Sequence, residues 1–298
     1  MTLERPSGAM IHVPVMPMEI LSSLNISTNG IYFDGTVGLG GHAALILEHL
    51  SSKGHLIGTD RDEDALSYCN KRLSGFSTPI SLFNDSYHNF SSILDGLEID
   101  TVNGFLLDLG LSSLQLDSPE RGFSYSIDAD LDMRFDSSQE LKASDIINYT
   151  PTDELANIIY EYGDERRSRV IARNIEKMRP LKTGFDLIEA IRKSTPPKHR
   201  DRSFARVFQA IRIKVNGELD KLDNFLSTFI DSLSIGGRIA IISFQSLEDR
   251  RVKHKFKDLA KEGRLSILSK KPKIATDEEM ATNRRSRSAK LRIAERIA

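Results

Sequence analysis

The segment Asp34-Gly-Thr-Val-Gly-Leu-Gly-Gly-His42 sets three glycines in four positions (Gly38, Gly40 and Gly41) between a carboxylate and an imidazole. Glycines there remove the Cβ atoms that hold a ligand away from the backbone, and they permit positive φ. A second carboxylate, Asp60, ends Leu56-Ile-Gly-Thr-Asp60. A third, Asp108, ends an apolar run and is followed by Ser112, Ser113 and Gln115, which add donors and acceptors. A carboxylate at Asp60 can accept hydrogen bonds from both ribose hydroxyls of an adenosine, and a helix starting after the glycines offers unpaired N–H groups. The row does not complete Gly-x-Gly-x-x-Gly, because its third position is Ala43. Asp34 and Asp60 also put negative charge where a pyrophosphate would go, which suits a ligand carrying a sulfonium and an ammonium. S-adenosylmethionine is thereby favoured over a nicotinamide dinucleotide, though both stay open at this point. A plainer alternative is a tight turn with Asp60 capping the next helix, and the strand–turn–helix context on both sides weighs against it.

Those residues need strands that end where a ligand can sit. Ile31–Asp34, His55–Asp60, Pro79–Phe83 and Val102–Leu109 read as strands, and the last is apolar enough to be buried on both faces. Helical spacing marks Met18–Leu24, His42–Leu50, Glu63–Leu73 and Phe90–Leu97. Strands alternating with helices predict βαβ units and a parallel sheet, with ligands beyond the strands' carboxyl ends. After Gly110 the alternation stops. Residues 117–136 are turn-rich and acidic, and residues 138–194 carry helical patterns with no strand between them. One helix is expected at Asp153–Tyr162, with its N-cap in Tyr149-Thr-Pro-Thr152, and another at Arg166–Met178. A long helix is expected over Phe204–Leu233, bent near Asn216-Gly217. A buried strand, Gly236–Phe244, then a helix, Ser246–Lys261, and two short strands, Leu265–Leu268 and Lys290–Ile293, complete the chain. The expected fold is α/β, a Rossmann-like sheet in residues 1–112 and 209–298, with an all-helical domain inserted at 113–208.

Composition narrows the class. With 298 residues and 28% charged against 39% apolar, one or two globular domains are expected. No apolar run is long enough to span a bilayer, and the start, MTLERPSGAMIHVPVM, lacks the pattern of a secretory signal. A single cysteine, Cys69, excludes an internal disulfide and paired-Cys zinc sites, and no His/Asp cluster has metal-ligand spacing. A cytoplasmic location is expected. The net charge of −1 conceals a division: residues 1–160 hold 8 Lys/Arg and 23 Asp/Glu, and residues 161–298 hold 33 Lys/Arg and 19 Asp/Glu. A basic half of this kind can attract phosphates, although a large dipole with solvated faces would look the same.

With these motifs in view, the sequence closely resembles the MraW/RsmH family, bacterial methyltransferases that use S-adenosylmethionine to methylate N4 of a cytidine in 16S ribosomal RNA. The resemblance covers nearly the whole chain. Besides the glycine loop it rests on His12-Val-Pro-Val15, Asp60-Arg-Asp62, Asp108-Leu-Gly-Leu-Ser-Ser113, Arg121-Gly-Phe-Ser124 and Leu131-Asp-Met-Arg134. It continues through Tyr162-Gly-Asp-Glu-Arg166, Phe208-Gln-Ala-Ile-Arg-Ile213, Ser243-Phe-Gln-Ser-Leu-Glu-Asp-Arg250 and Arg285-Ser-Arg-Ser-Ala-Lys-Leu-Arg292. Ten pieces in order are specific where one Gly-rich turn is not.

The resemblance implies a Rossmann-like class I methyltransferase sheet, an inserted helical domain for substrate recognition, and S-adenosylmethionine as cofactor. It implies that Gly40, Gly41 and His42 line the cofactor, Asp60 holds the ribose, Phe90 packs against the adenine, and Asp108 and Gln115 complete the pocket. Taken alone, Phe90 reads as an ordinary core aromatic. Asp108 is also the candidate catalytic residue, accepting from the cytosine N4 amine, with a cofactor anchor as the alternative. The partner implied is 16S rRNA in the small ribosomal subunit, in its decoding region, with no membrane; monomer and homodimer both stay open. Phe123 could offer a surface to a displaced base or could be packing. Two basic clusters, Arg192–Lys214 and Lys270–Arg292, are candidates for phosphate contacts. The family usually has His where Gln245 stands, and two hydroxyls where Ala205 and Val207 stand. A nicotinamide-linked oxidoreductase and a non-catalytic RNA-binding protein are the competing readings.

Overall fold

The structure, a computed structural model, describes residues 13–298. The segment read for a signal sequence and His12 of the first motif fall partly or wholly outside the described residues. In chain order the first elements are α1 (Pro17–Leu24), β1 (Ile31–Asp34), α2 (Gly41–Leu47), β2 (His55–Asp60), α3 (Glu63–Leu73), β3 (Ile80–Asn84), α4 (Phe90–Gly96) and β4 (Val102–Asp108). Then come α5 (Ser113–Asp117), α6 (Ala143–Tyr149), α7 (Thr152–Gly163), α8 (Ser168–Met178), α9 (Gly184–Ser194), α10 (Arg200–Asn216) and α11 (Glu218–Thr228). The last are β5 (Leu233–Ser243), α12 (Ser246–Lys261), β6 (Leu265–Ile267), α13 (Asp277–Thr282) and β7 (Lys290–Arg296).

Among the described residues the seven strands form one sheet in the order β3-β2-β1-β4-β5-β7-β6. β1 to β5 pair in parallel, and β7 runs antiparallel to both β5 and β6. A dinucleotide-binding sheet of the usual doubly wound kind runs 3-2-1-4-5-6. Here an antiparallel strand is inserted between β5 and β6. This is the Rossmann-like class I methyltransferase sheet. The order reverses between β1 and β4, so the crevice that such sheets use for ligands opens at the ends of those two strands. Asp34 and Asp108 are the residues that end them.

The chain divides into two compact units, one running to Gly110 and resuming at Asp220–Ala298, the other Leu111–Leu219. In the first, one face of the sheet packs Phe33, Phe105 and Ile239 against Phe225 of α11, Phe229 just beyond its end, and Phe256 of α12. The other face packs Tyr32, Leu56, Leu106 and Ala240 against α1, α2 and α3. The second unit has its own core, with Ile159, Ile171, Ile175, Leu187, Ile191, Val207 and Ile211 all at or below 1% exposure.

Two expectations need correction. The helix expected over Phe204–Leu233 is two helices, because Gly217 adopts φ 59° and ends α10, and Glu218 begins α11. An Arg212–Glu218 ion pair at 2.8 Å spans the break. α10 is continuous through residue 208 and buries Val207, Ile211 and Val215 in the second unit's core, so that unit extends to Leu219. The N-cap expected within Tyr149–Thr152 falls on Pro151, which offers no side-chain cap. α7 starts at Thr152 itself, behind Pro151, and the Thr152 hydroxyl is buried without a partner.

Several family motifs prove to be internal joints. Arg121 donates from Nη2 to the carbonyls of Arg134 and Phe135, and Arg134 grips Asp132 through Nε and Nη2 at 2.9 and 2.8 Å. Between them Gly122 sits at φ 67°, where an added Cβ would lie 2.3 Å from the Asp130 carbonyl. Phe123 is 7% exposed, in the same unit's core beside Phe135. A ring so enclosed offers no surface to a displaced base. In the first unit Glu248 Oε2 accepts from the Phe244 and Gln245 amides, and Asp249 holds Arg292 at 2.6 Å.

Candidate cofactor site at the strand ends

The loop after β1 is tied to both neighbouring strands. Gly35 donates its amide to the Leu106 carbonyl, Val37 to the Thr59 carbonyl, and the Thr59 hydroxyl donates to the Gly35 carbonyl. The Asp108 amide donates to Thr36 Oγ1 at 2.6 Å. The ends of β1, β2 and β4 are therefore one hydrogen-bonded platform, and each carries a carboxylate: Asp34, Asp60 and Asp108.

Gly40 makes the loop possible. It sits at φ 77°, and an added Cβ would lie 2.9 Å from Cys69 Sγ and 3.5 Å from Leu73 on α3. Only a residue without a side chain lets α2 start so close to α3. Gly40→Ala is expected to lose about 2–3 kcal/mol of stability, combining left-handed strain with overpacking. In a double-mutant cycle Cys69→Ala should recover part of that loss. Strict additivity would show that the sulfur contact is not the cause.

The side chains of this platform are incompletely satisfied. Asp34 is 1% exposed; its Oδ1 accepts from the Thr36 amide at 3.1 Å, and its Oδ2 is buried without a partner. Asp108 Oδ1 is buried without a partner, and Oδ2 lies 3.6 Å from His42 Nε2. His42 is the second residue of α2, is 6% exposed, and neither ring nitrogen makes a hydrogen bond. Asp60 is better served: Oδ2 accepts from the Gly38 amide at 2.8 Å and Oδ1 from the Asp62 amide at 3.0 Å. Buried polar atoms are normally paired, so orphans concentrated at a switch point mark a place built for something else to bind.

Electrostatics says what kind of thing. Burial pushes the Asp34 carboxyl up to about 7, with Asp108 and Asp60 adding to the rise and His42 and the Thr36 amide opposing it. Burial pushes Asp60 up to about 6, opposed mainly by the Asp62 and Gly38 amides. A pyrophosphate would raise these further and be repelled. An ammonium or sulfonium would lower them and be held. The donor set fits S-adenosylmethionine: carboxylates for the cationic amino-acid end, and Asp60 with free lone pairs for ribose hydroxyls. Burial also pushes the Cys69 thiol up to about 12, so it is an inert packing group.

Of the residues expected to bind cofactor, the structure brings Gly40, Gly41, His42, Asp60 and Asp108 to this platform. Phe90 lies in the aromatic core of the same unit. It is 1% exposed, with Phe33, Phe105 and Phe225 around it at centroid distances of 6.3, 5.2 and 5.2 Å, all steeply inclined. Gln115 belongs to the other unit, where its Oε1 accepts from the Ser112 amide at 3.0 Å and caps α5. Asp34 and Thr36 were the residues undervalued in sequence. Their signal was position, since a carboxylate closing a strand before a glycine loop is buried at the switch point. Among the described residues no cluster of His, Cys, Asp and Glu has the arrangement of a metal site.

Residues 9–297 match the family described as the MraW methylase family. A ribosomal RNA small subunit methyltransferase H from Kosmotoga olearia is 49% identical over 292 residues, covering 96% of this chain and 97% of that protein. The like-named protein of Thermosipho africanus is 48% identical over 290 residues, with 96% and 98% covered. That of Fusobacterium nucleatum is 43% identical over 308 residues, with 97% and 98% covered. Matched from end to end in this way, with a class I methyltransferase sheet beneath it, the chain belongs to the MraW methylase family.

Proposed function

We propose that this chain transfers a methyl group from S-adenosylmethionine to N4 of a cytidine in the 16S RNA of the small ribosomal subunit, in the cytoplasm. The observation that carries the reading is the trio of strand-end carboxylates with Asp34 Oδ2 and Asp108 Oδ1 unpaired. The relatives' names supply the ribosomal RNA substrate, and the family resemblance supplies the atom. Among the described residues no helix is long and apolar enough to cross a membrane.

The cofactor, when bound, supplies a methyl group already activated by its sulfonium. The chain's own task is then to orient the amine and take up its proton. A cytosine N4 lone pair is delocalised into the ring, so an acceptor that draws on its N–H groups makes it a better nucleophile. Asp108 Oδ1 is one such acceptor. Gln245 Oε1 is a second buried acceptor that completes no hydrogen bond, at the N-cap of α12 two residues beyond β5, which pairs with β4 through Asp108 and Ile242. An amine with two N–H groups could use both. Gln245 cannot change charge near neutral pH, whereas the family's usual His at that position can. The target base must be unstacked to reach a pocket, at a cost of a few kcal/mol unless already unpaired. The all-helical unit serves, on this reading, in substrate recognition.

The test incubates the chain with labelled S-adenosylmethionine and undermodified small-subunit RNA or subunits, then digests the RNA to nucleosides. Label is expected in N4-methylcytidine. Label at another position, or none, overturns the reading. A thermal shift caused by a nicotinamide dinucleotide and not by S-adenosylmethionine would favour the oxidoreductase instead.

A further inference from the structure

Two basic stretches that are separate in sequence meet in the second unit. α8 carries Val170, Arg173 and Lys177 along one exposed stripe, with Arg166 just before its first turn, and Glu176 is its one acid. The junction between α9 and α10 carries Lys193, Lys198, Arg200 and Arg202 against Asp201. Ser194 and Thr195 join them. Arg167 Nη1 donates to the Ser194 carbonyl at 3.2 Å, Asn174 Nδ2 to Ser194 Oγ at 2.7 Å, and Arg200 Nε to the Thr195 carbonyl at 3.2 Å. Lys193 Nζ reaches Met178 Sδ at 3.5 Å. At the centre, Thr195 is 4% exposed with its hydroxyl unpartnered.

We infer that this face, formed by α8 and the α9–α10 junction, binds the phosphodiester backbone of RNA. It rests on the reading of the chain as an RNA methyltransferase and adds where the RNA is gripped. Charge complementarity favours RNA over an apolar partner: cations dominate the face, and its one large exposed hydrophobe is Val170 at 47%. The other basic residues singled out in the sequence are in part committed elsewhere. Arg292 and Lys290 face Asp249, Arg212 is held by Glu218, and Arg206 lies near Asp164 and Glu165. A cation held by a carboxylate adds little toward a phosphate.

The test compares two charge-reversed chains with the wild type for binding small-subunit ribosomal RNA transcribed in vitro, across a salt titration. The first carries Arg173→Glu, Lys177→Glu, Lys198→Glu and Arg202→Glu. The second carries Lys270→Glu, Lys271→Glu, Arg284→Glu and Arg287→Glu. The first is expected to lose at least about tenfold in affinity near 0.1 M salt and to show a shallower salt slope, by about 0.7–0.9 for each phosphate no longer neutralised. The second should stay within about threefold. S-adenosylmethionine binding by calorimetry should be unchanged in both, and should the reversed chain not fold, the corresponding Gln variants make the same comparison. Equal losses, a larger loss in the second chain, or wild-type affinity in the first with methyl transfer intact would overturn the surface and leave the activity standing. Wild type that binds assembled subunits but not naked RNA would point to a protein partner and overturn it too. Wild type that neither binds nor methylates RNA overturns both readings.

Discussion

Asp34→Asn is expected to make the ligand-free chain more stable at pH 8 while removing most of its affinity for S-adenosylmethionine. The folded carboxyl sits at about 7, above its ordinary 3.8, chiefly because it is buried. A proton is therefore bound more tightly in the folded chain than in the unfolded one. The stability this brings is complete below about pH 4 and is lost as pH rises through about 7. At ~1.36 kcal/mol per tenfold change in proton affinity, an ionised Asp34 costs the ligand-free fold roughly 4 kcal/mol at pH 8. Asparagine removes that cost and keeps an oxygen to accept from the Thr36 amide. The melting temperature of the variant should exceed that of the wild type at pH 8, and the gap should shrink by more than half at pH 5. Calorimetry with S-adenosylmethionine should show a loss of about 10- to 100-fold, the size of one hydrogen bond to a charged group. Wild-type affinity, or a variant less stable at pH 8, would mean that the carboxylate is not held in reserve for a cation. The same titration predicts that wild-type affinity weakens as pH falls below about 7 and again near 6, as Asp34 and then Asp60 take up protons.

The parallel half of the sheet was legible because local pattern and burial agree there. β1 and β2 have the boundaries that their residues suggested, and each ends in the carboxylate that was singled out. The break at Gly217 was legible only as a bend, because the apolar spacing continues from α10 into α11 and conceals a change of helix. Phe90 shows the opposite limit. The resemblance sets it against an adenine, its residue type alone suggests an ordinary core aromatic, and nothing local reveals that Phe33, Phe105 and Phe225 surround it. The motifs around Arg121, Arg134, Glu248 and Asp249 are rich in charge, which in a sequence suggests chemistry. Their charges are spent on one another and on backbone carbonyls and amides, a pairing that becomes visible only in three dimensions.

Asp108→Asn is expected to separate holding a cofactor from performing chemistry. The carboxylate is fixed from below, its own amide on Thr36 Oγ1, and flanked by His42 Nε2 at 3.6 Å. Asparagine is close to isosteric, so the platform should survive, but one acceptor becomes a donor. If Asp108 only anchors the cofactor's ammonium, affinity falls by about tenfold or more and turnover at saturating cofactor is preserved. If Oδ1 also accepts from the cytosine amine, the variant places an N–H where the amine needs an acceptor. Single-turnover methyl transfer at saturating cofactor then falls by about 100-fold or more, within the range for losing a proton-accepting group. The expectation is loss in both, since Oδ1 and Oδ2 face different demands: one is unpartnered, the other beside an imidazole. A paired Gln245→Leu measurement, with the melting temperature followed because Gln245 is also the N-cap of α12, sharpens the outcome. A fall in rate with unchanged cofactor affinity in Gln245→Leu, beside a fall in both in Asp108→Asn, would place two acceptors on one amine. Full rate in both variants would move the chemistry away from the ends of β4 and β5 altogether.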